Sequence, residues 1–206
     1  LNKGFKHCTG DIFGWLNSDD IYLPNAFKYA IKAFKINPNK KVVFGDFLSI
    51  DKKDCILDYH HAFNFSLNQF KYEGFHLNAQ SMFWRNIVHK NFSGFDTSLI
   101  NTMDYQMILE FGINEGEASF MRIPKVLGAF RLYTEQKTGS NPSRVHQEHK
   151  EIAKQYKFTD KYKIIGDERP DNVAEKIYGN PNLDWVILMA NNIIDIKIRL
   201  KNFIKS

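Results

Sequence analysis

The stretch that best indicates the fold reads Ile12-Phe13-Gly14-Trp15-Leu16-Asn17-Ser18-Asp19-Asp20. A short apolar run that ends in a polar cluster predicts a buried strand of the parallel type, whose carboxyl end opens into a cleft. The adjacent carboxylates Asp19 and Asp20 repel each other at such a place unless a cation neutralises them. A divalent-metal site is therefore the first hypothesis. The alternative is a structural turn and N-cap ahead of Pro24, and it stays open on these residues alone.

Composition and charge restrict the class of protein. The 206 residues are 43% hydrophobic and include 18 Phe and 9 Tyr, enough for a well-packed core. The net charge of +5 comes from scattered lysines, which argues against a nucleic-acid groove and suits a phosphorylated small molecule or an anionic membrane surface. Two distant cysteines predict no disulfide framework and favour a reducing, cytoplasmic compartment. No signal peptide or membrane-spanning run is predicted.

Periodicity and turn residues predict alternating strands and helices along the chain. Residues 1–10 are typical of the end of a helix, so we expect that an amino-terminal part of the natural protein precedes Leu1. The predicted strands are residues 12–16, 41–50, 55–61, 79–84, 118–123 and 126–132. The predicted helices are residues 24–36, 66–72, 85–91, 103–114, 145–158 and 182–205, and 161–181 carries only weak signals.

Asp104 is a second candidate for chemistry. Asn101-Thr102-Met103-Asp104 begins a helix, where Asn101 or Thr102 is expected to cap and Asp104 to complement the helix dipole. The functional alternative makes Asp104 a general base. A helix amino terminus lowers the pKa of a carboxyl group, so basicity would require burial or the charge of nearby acids.

A third candidate is the loop that follows Phe130. Its Arg131, Lys137 and Thr138 can contact a diphosphate, because cations and hydroxyls stabilise a departing phosphate, although a solvated loop is the simpler interpretation. The histidine pair His60-His61 does not predict zinc, since adjacent histidines rarely point at one ion.

These three candidates, in this order, resemble glycosyltransferase family two, over about residues 1–152. Residues 9–24 are similar to the family's Asp-x-Asp stretch, with Asn17 in place of the first Asp and Asp19 as the second. Met103-Asp104-Tyr105-Gln106-Met107 resembles the acidic helix start that carries the family's base. Leu1–Phe5 resembles the family's Asn-x-Gly helix beside the donor nucleotide. Further segments resemble one subgroup, namely Phe44–Asp46, Gln80–Arg85, Gly94–Asp96, Pro124–Arg131 and Lys137–Thr138. Tyr133 departs from the subgroup, which has a histidine there.

The resemblance implies an α/β fold of the GT-A (Rossmann-like) type, incomplete at the amino terminus and followed by a carboxy-terminal amphipathic helix. It implies an inverting, hexosyltransferase-type enzyme of polysaccharide or other glycan synthesis, with weak or no activity in this fragment. Mn²⁺ or Mg²⁺ would be held by Asp19, with Asp20 assisting, and Asp104 would be the catalytic base. The implied donor-binding residues are Asn2, Gly4, Asn17, Ser18, Arg131, Lys137 and Thr138, and the implied acceptor-binding residues are Gln80, Trp84 and Asp46.

The predicted organisation is a catalytic part over residues 1–158, a linker over 159–181 and an amphipathic tail over 182–206. The expected partners are a nucleotide-sugar donor and a glycan or lipid-linked acceptor, with no nucleic acid. The basic amphipathic tail is expected to contact the inner face of a membrane, the domain itself or a second subunit. A non-catalytic carbohydrate- or partner-binding module that keeps the fold is the alternative function.

Overall fold

The computed structural model describes residues 1–73, 77–133, 142–156 and 168–184. The chain divides into two compact units, Leu1–Gln155 and Tyr156–Ser206. The predicted domain boundaries at 158 and 181 stay predictions. Within the described residues, no helix is both long and apolar enough to cross a bilayer.

The first unit is built on a mixed six-stranded sheet. Five of its strands lie in the order β1-β5-β3-β6-β2, and β4 pairs with β3 outside this order. β5 is antiparallel to both β1 and β3, whereas β3 and β6 are parallel. The carboxyl ends of β1, β3 and β6 therefore point the same way, as the sequence predicts, although the direct neighbour of β1 is antiparallel. The strands are β1 Ile12–Gly14, β2 Ile21–Tyr22, β3 Val42–Ile50, β4 Ile56–His60, β5 Met82–Arg85 and β6 Phe120–Arg131.

β6 corrects one prediction. The sequence suggests two strands separated by Pro124, but Phe120–Arg131 is one strand that is paired with β3 along its length. The pairing register shifts opposite Gly45, Asp46 and Phe47, so β6 carries extra residues at this point. Pro124 lies in the irregular part of the ladder, where its missing N–H breaks no regular hydrogen bond.

The helices of the first unit begin and end within a few residues of their predicted bounds. Residues 79–81 differ from the prediction. That segment was expected to begin a strand and forms a 3₁₀ turn ahead of β5. The helix after Pro24 starts only at Ala26, behind Asn25 in a left-handed conformation (φ 67°). The helices are α1 Asn2–Lys6, α2 Ala26–Ile36, α3 Leu67–Glu73, α4 Asn86–Lys90, α5 Met103–Glu115 and α6 Pro142–Gln155.

α2 and α5 cover opposite faces of the sheet. The buried face of α2 joins Val43 of β3 and Phe83 of β5 in one apolar cluster. The next residue of β5, Trp84, points to the other face and contacts Phe111 of α5, with ring centroids 5.4 Å apart. α5 is buried on almost every side rather than on the single expected face, because α3 and α6 also pack on it, through Phe70 and His149 on the Tyr105 ring.

The second unit contains a helix that the sequence analysis missed. α7, Pro170–Tyr178, lies inside the segment predicted as a linker, and it buries Val173 and Ala174. Pro170 at its first turn and Gly179 after its end are the expected boundary residues, but the helix is too short for a strong periodic signal. The tail predicted as an amphipathic helix lies outside the described residues from 185 onward.

Candidate functional site

The turn after β1 places Asp20 in the interior. Asp20 is 4% exposed, and its carboxylate accepts hydrogen bonds from Asn17 Nδ2 (3.0 Å) and from the backbone N–H of Arg131 (3.0 Å). Burial raises the pKa of Asp20 and the charge of Asp19 adds to this rise, while the two hydrogen bonds oppose it. Asp20 therefore joins the end of β1 to the end of β6.

Asp19 is half-buried and faces a different partner. The hydroxyl of Tyr133 donates to Oδ2 of Asp19 over 2.9 Å. Tyr133 is the position that departs from the subgroup pattern, and its contact shows that the tyrosine is joined directly to the predicted metal ligand.

The guanidinium of Arg131 makes hydrogen bonds to other residues of the protein. Its guanidinium donates to the backbone oxygens of Asp19 (2.8 Å) and Asp51 (2.6 Å) and to Oδ1 of Asp54 (2.6 Å). Only 17% of the side chain is exposed. The structure therefore assigns Arg131 a role in holding the Asp19 turn against the β3–β4 hairpin, and its predicted contact with a diphosphate stays a prediction.

Asp104 lies in the first turn of α5. Its Oδ1 accepts the N–H of Tyr105 (2.9 Å). Burial raises the pKa of Asp104 to about 6, and the charge of Asp20 contributes to the rise. The helix start thus lowers the pKa less than burial raises it, which is the condition that the sequence analysis set for a base. The influence of Asp20 also shows that the two carboxyl groups share one electrostatic environment.

The expected cap of α5 is wrong in its details. Thr102 occupies the N-cap position, but its side chain makes no capping hydrogen bond. Its hydroxyl instead donates to Oε2 of Glu148 in α6, over 3.0 Å. Glu148 also accepts the backbone N–H groups of Ile100, Asn101 and Thr102 (3.0, 2.9 and 3.1 Å). The turn that leads into α5 is therefore held by a carboxylate 46 residues away in sequence from Thr102.

The predicted acceptor residues occupy three different environments. Trp84 is fully buried between Phe5 and Phe111, so it belongs to the core and has no surface for an acceptor. Asp46 is 3% exposed and accepts hydrogen bonds from Tyr59 Oη (2.5 Å), Arg122 Nη2 (2.8 Å) and Ala62 N (3.0 Å). Burial opposes ionisation of Asp46, but these donors and the charge of Arg122 hold its pKa below the usual range. Asp46 therefore joins β3, β4 and β6.

Gln80 differs from these two residues. It is 3% exposed, and its side-chain Nε2 is buried without a hydrogen-bond partner in the part of the chain that the structure describes. Its backbone lies so close to β6 that a Cβ on Gly128 would be 2.2 Å from the Gln80 carbonyl oxygen, so only glycine fits there. An unsatisfied buried amide next to the sheet is costly unless a ligand or water pairs with it.

The remaining predicted donor residues are dispersed. The side chain of Asn2 exchanges two 2.9 Å hydrogen bonds with the backbone of Phe95, so it connects α1 to the loop before α5. Gly4, Asn17 and Ser18 are exposed. Lys137 and Thr138 lie outside the described residues.

The fit of a divalent cation depends on Asp19. No group of three or more acidic, histidine or cysteine side chains with metal-ligand spacing occurs among the described residues. Asp20 is a poor ligand, because its two oxygens already accept hydrogen bonds and its pKa is raised. Asp19 offers a half-buried carboxylate of the hard type that Mg²⁺ and Mn²⁺ prefer, so the residues fit a cation with one protein carboxylate.

Comparison with known proteins divides the chain in two. Residues 1–99 match the family model described as glycosyl transferase family 2. An uncharacterized glycosyltransferase of Rickettsia felis is 35% identical over 60 residues, which are 29% of this chain and 10% of the relative. One of Rickettsia typhi is 28% identical over 118 residues, 54% of this chain and 37% of the relative. The chain thus spans between a tenth and two fifths of the length of these curated relatives.

The carboxy-terminal part resembles a different family. Residues 140–199 match the model described as base plate wedge protein 53. The baseplate wedge protein gp53 of Enterobacteria phage T4 is 53% identical over 34 residues, which are 16% of this chain and 17% of that protein. The sequence analysis missed this likeness, because charged and amphipathic helices carry no motif that distinguishes one partner from another.

The glycosyl transferase match and the mixed sheet agree on the architecture. The predicted α/β fold of the GT-A type is confirmed, with the turn of Asp19 and Asp20 at the end of β1 and Asp104 at the start of α5. Through its amino-terminal part, residues 1–99, the chain is similar to glycosyl transferase family 2.

Proposed function

We propose that this chain transfers a sugar from a nucleotide diphosphate sugar to a hydroxyl group of a glycan or lipid-linked acceptor, with inversion at the anomeric carbon. The observation that carries the proposal is the position of Asp104 in the first turn of α5, where burial and the charge of the buried Asp20 raise its pKa to about 6. In a chain similar to this family, such a group combines the protonation state and the location that a general base requires.

The reaction requires one proton acceptor. The carboxylate of Asp104 takes the proton of the acceptor hydroxyl as the hydroxyl oxygen bonds to the anomeric carbon. The bond from that carbon to the diphosphate oxygen breaks on the opposite side, and the electron pair leaves with the diphosphate. A pKa near 6 keeps most Asp104 ionised at neutral pH while leaving it basic enough to accept the proton.

Asp19 is the proposed ligand of Mn²⁺ or Mg²⁺. A bound cation would neutralise the charge that develops on the departing diphosphate. Tyr133 orients the carboxylate of Asp19 through the 2.9 Å hydrogen bond to Oδ2, and Arg131 fixes its backbone. Gln80 is the best-supported of the three acceptor candidates, since a sugar hydroxyl would satisfy its unpaired Nε2.

Release of nucleoside diphosphate tests the proposal. The purified chain is mixed with Mn²⁺, a panel of nucleotide diphosphate sugars and simple glycan acceptors. We expect weak release with at least one donor, and a fall of about 100-fold or more in Asp104→Asn, the size of a lost general base. Asp58→Asn, an exposed carboxylate on β4, is the matched control. No release from any donor, or equal release by Asp104→Asn, would contradict the proposal.

We also propose that the carboxy-terminal part attaches the chain to a protein assembly of the base plate type. The support is the match of residues 140–199 to the wedge protein family and the 53% identity with the T4 protein. This likeness favours a protein partner over a membrane for residues 182–199, two alternatives that the sequence leaves open.

Co-sedimentation tests this second proposal. T4 baseplate wedges prepared without gp53 are incubated with the purified chain and sedimented, and wedges that contain gp53 serve as the control. We expect the chain to sediment only with the first preparation and to be displaced by excess gp53. A chain that stays in the supernatant in both preparations would refute the attachment.

A further inference from the structure

We propose that Glu148 of α6 is a positioning residue for Asp104, so that the segment resembling the wedge protein also aligns the base of the transferase site. The inference rests on the proposed function of Asp104. It arises from the contacts around the start of α5, which come from α6 and α3 rather than from the helix itself.

Glu148 holds the turn that leads into α5. Its two carboxylate oxygens accept three consecutive backbone N–H groups, from Ile100 to Thr102, together with the Thr102 hydroxyl. Three consecutive amides that converge on one carboxylate leave a turn little freedom. Thr102 is 1% exposed and Glu148 is 3% exposed, so water does not replace these contacts easily.

Arg144 orients Glu148 in turn. Its Nε donates to Oε1 of Glu148 over 2.9 Å, one helical turn earlier on α6. The carboxylate therefore accepts five donors in total. This pairing fixes the side-chain rotamer of Glu148 and hence the position of the turn that it binds.

The residue after Asp104 is held from the same helix. The ring of Tyr105 stacks on His149 of α6, with centroids 4.6 Å apart and planes 20° apart. On its other side the ring stacks on Phe70 of α3 at 4.9 Å, and its hydroxyl donates to the backbone oxygens of Phe70 and Lys71. Tyr105 is thus clamped between α6 and α3.

Asp104 lies between these two anchors. Thr102 is fixed two residues before it and Tyr105 directly after it, so contacts made by α6, together with those of α3 to Tyr105, fix the backbone that carries the Asp104 side chain. Glu148 acts through this backbone and makes no hydrogen bond with Asp104. A base that must meet the acceptor hydroxyl within about 3 Å loses rate when its helix start shifts, even if the acceptor still binds.

Steady-state kinetics of Glu148→Ala in the full chain test the proposal. We expect kcat to fall about 10- to 100-fold with KM nearly unchanged, and Glu148→Gln, which keeps one acceptor oxygen, to recover part of the loss. Glu151→Ala removes an exposed carboxylate from the same helix and is the matched control. Should Glu148→Ala fail to fold, Thr102→Val removes a single hydrogen bond to the same carboxylate and should lower kcat by a smaller factor.

A double variant separates positioning from general destabilisation. In an Asp104→Asn background, Glu148→Ala should cause no further loss of the residual rate, because its effect passes through Asp104. The proposal would be overturned if the rate losses of Asp104→Asn and Glu148→Ala multiply in the double variant. It would also be overturned if Glu148→Ala is less stable but keeps its kcat per folded molecule.

A measurement that does not depend on turnover distinguishes a failure of the proposed function from a failure of the positioning role of Glu148. If the unaltered chain shows no transfer, the proposed function fails, and positioning is judged from the carboxyl ¹³C signal of Asp104. We expect this signal to move in Glu148→Ala and to stay in place in Glu151→Ala. An unmoved signal in a folded Glu148→Ala chain would overturn the positioning role.

Discussion

The start of α5 and the middle of α6 each present a carboxyl group in a poorly hydrated place, yet the two groups titrate in opposite directions. Burial raises the pKa of Asp104 to about 6. Burial also opposes ionisation of Glu148, which is 3% exposed, but the donors around it hold its pKa at about 2. Burial alone therefore does not decide the protonation state of these groups.

The number of hydrogen-bond donors explains the difference. Five donors point at the carboxylate of Glu148, and together they outweigh the cost of its burial. Asp104 has the N–H of Tyr105 and its own backbone N–H and, against them, the negative charge of Asp20. The first environment suits a permanent charge that holds backbone, and the second suits a group that exchanges a proton.

The largest expected effect is on the stability of the fold in Glu148→Gln. The pKa of Glu148 falls from 4.5 to about 2 on folding, so its ionised form stabilises the folded state by roughly 3 kcal/mol above pH 5. This contribution is lost as the pH falls from about 5 to 2. Urea unfolding at several pH values should show a lower free energy of unfolding for Glu148→Gln at pH 7 and equal values near pH 2. A constant difference at all pH values would contradict the origin in ionisation.

A smaller effect of opposite sign is expected for Asp104→Asn. The pKa of Asp104 rises on folding from 3.8 to about 6, so the folded state loses stability as the pH rises through this interval. Removing the charge should therefore raise the free energy of unfolding by about 3 kcal/mol at pH 8, slightly less than the contribution of Glu148 because the pKa shift is smaller, and leave it unchanged at pH 3. The same urea titrations measure it, with Asp58→Asn as the control. If Asp104→Asn is less stable than the unaltered chain at pH 8, the ionised carboxylate of Asp104 does not destabilise the folded state.

The third prediction concerns the pH dependence of transfer. If Asp104 is the base, kcat/KM should rise about tenfold per pH unit below pH 6 and level off above it, since the carboxylate must be free of its proton. The measurement is the initial rate of nucleoside diphosphate release between pH 4.5 and 8, limited to conditions in which the chain stays folded. A profile that is flat between pH 5 and 7 would assign the base to another group.

The two helix regions also differ in how far the sequence predicts them. The start of α5 and the candidate Asp104 follow from local signals, a polar cap segment before an apolar repeat, and the resemblance adds the role. The role of Glu148 could not be predicted, because a glutamate in a charged helical segment looks like surface. Its partners, Ile100 to Thr102, are brought to it only by the tertiary fold.

The sheet shows the same limit. β3 and β4 are evident from their apolar runs and the turn between them. The continuity of β6 across Pro124 is not evident, since it depends on a register shift against Gly45 and Asp46 that only the paired strand reveals. The hydrogen bonds to Asp46 likewise come from residues on two other strands, Tyr59 on β4 and Arg122 on β6. A single sequence therefore does not show that this carboxylate is buried and hydrogen-bonded.

The smallest predicted effect is at Tyr133, and it tests whether the donor-counting argument holds outside α6. Among the residues that the structure describes, a single donor contacts the carboxylate of Asp19, the Tyr133 hydroxyl at 2.9 Å. Tyr133→Phe should lower the free energy of unfolding by only about 1 kcal/mol, the usual worth of one hydrogen bond, against the larger loss in Glu148→Gln. Tyr29→Phe, which keeps a ring in contact with the Lys125 ammonium, is the matched control. A loss in Tyr133→Phe as large as that in Glu148→Gln would mean that the number of donors does not set the strength of these anchors.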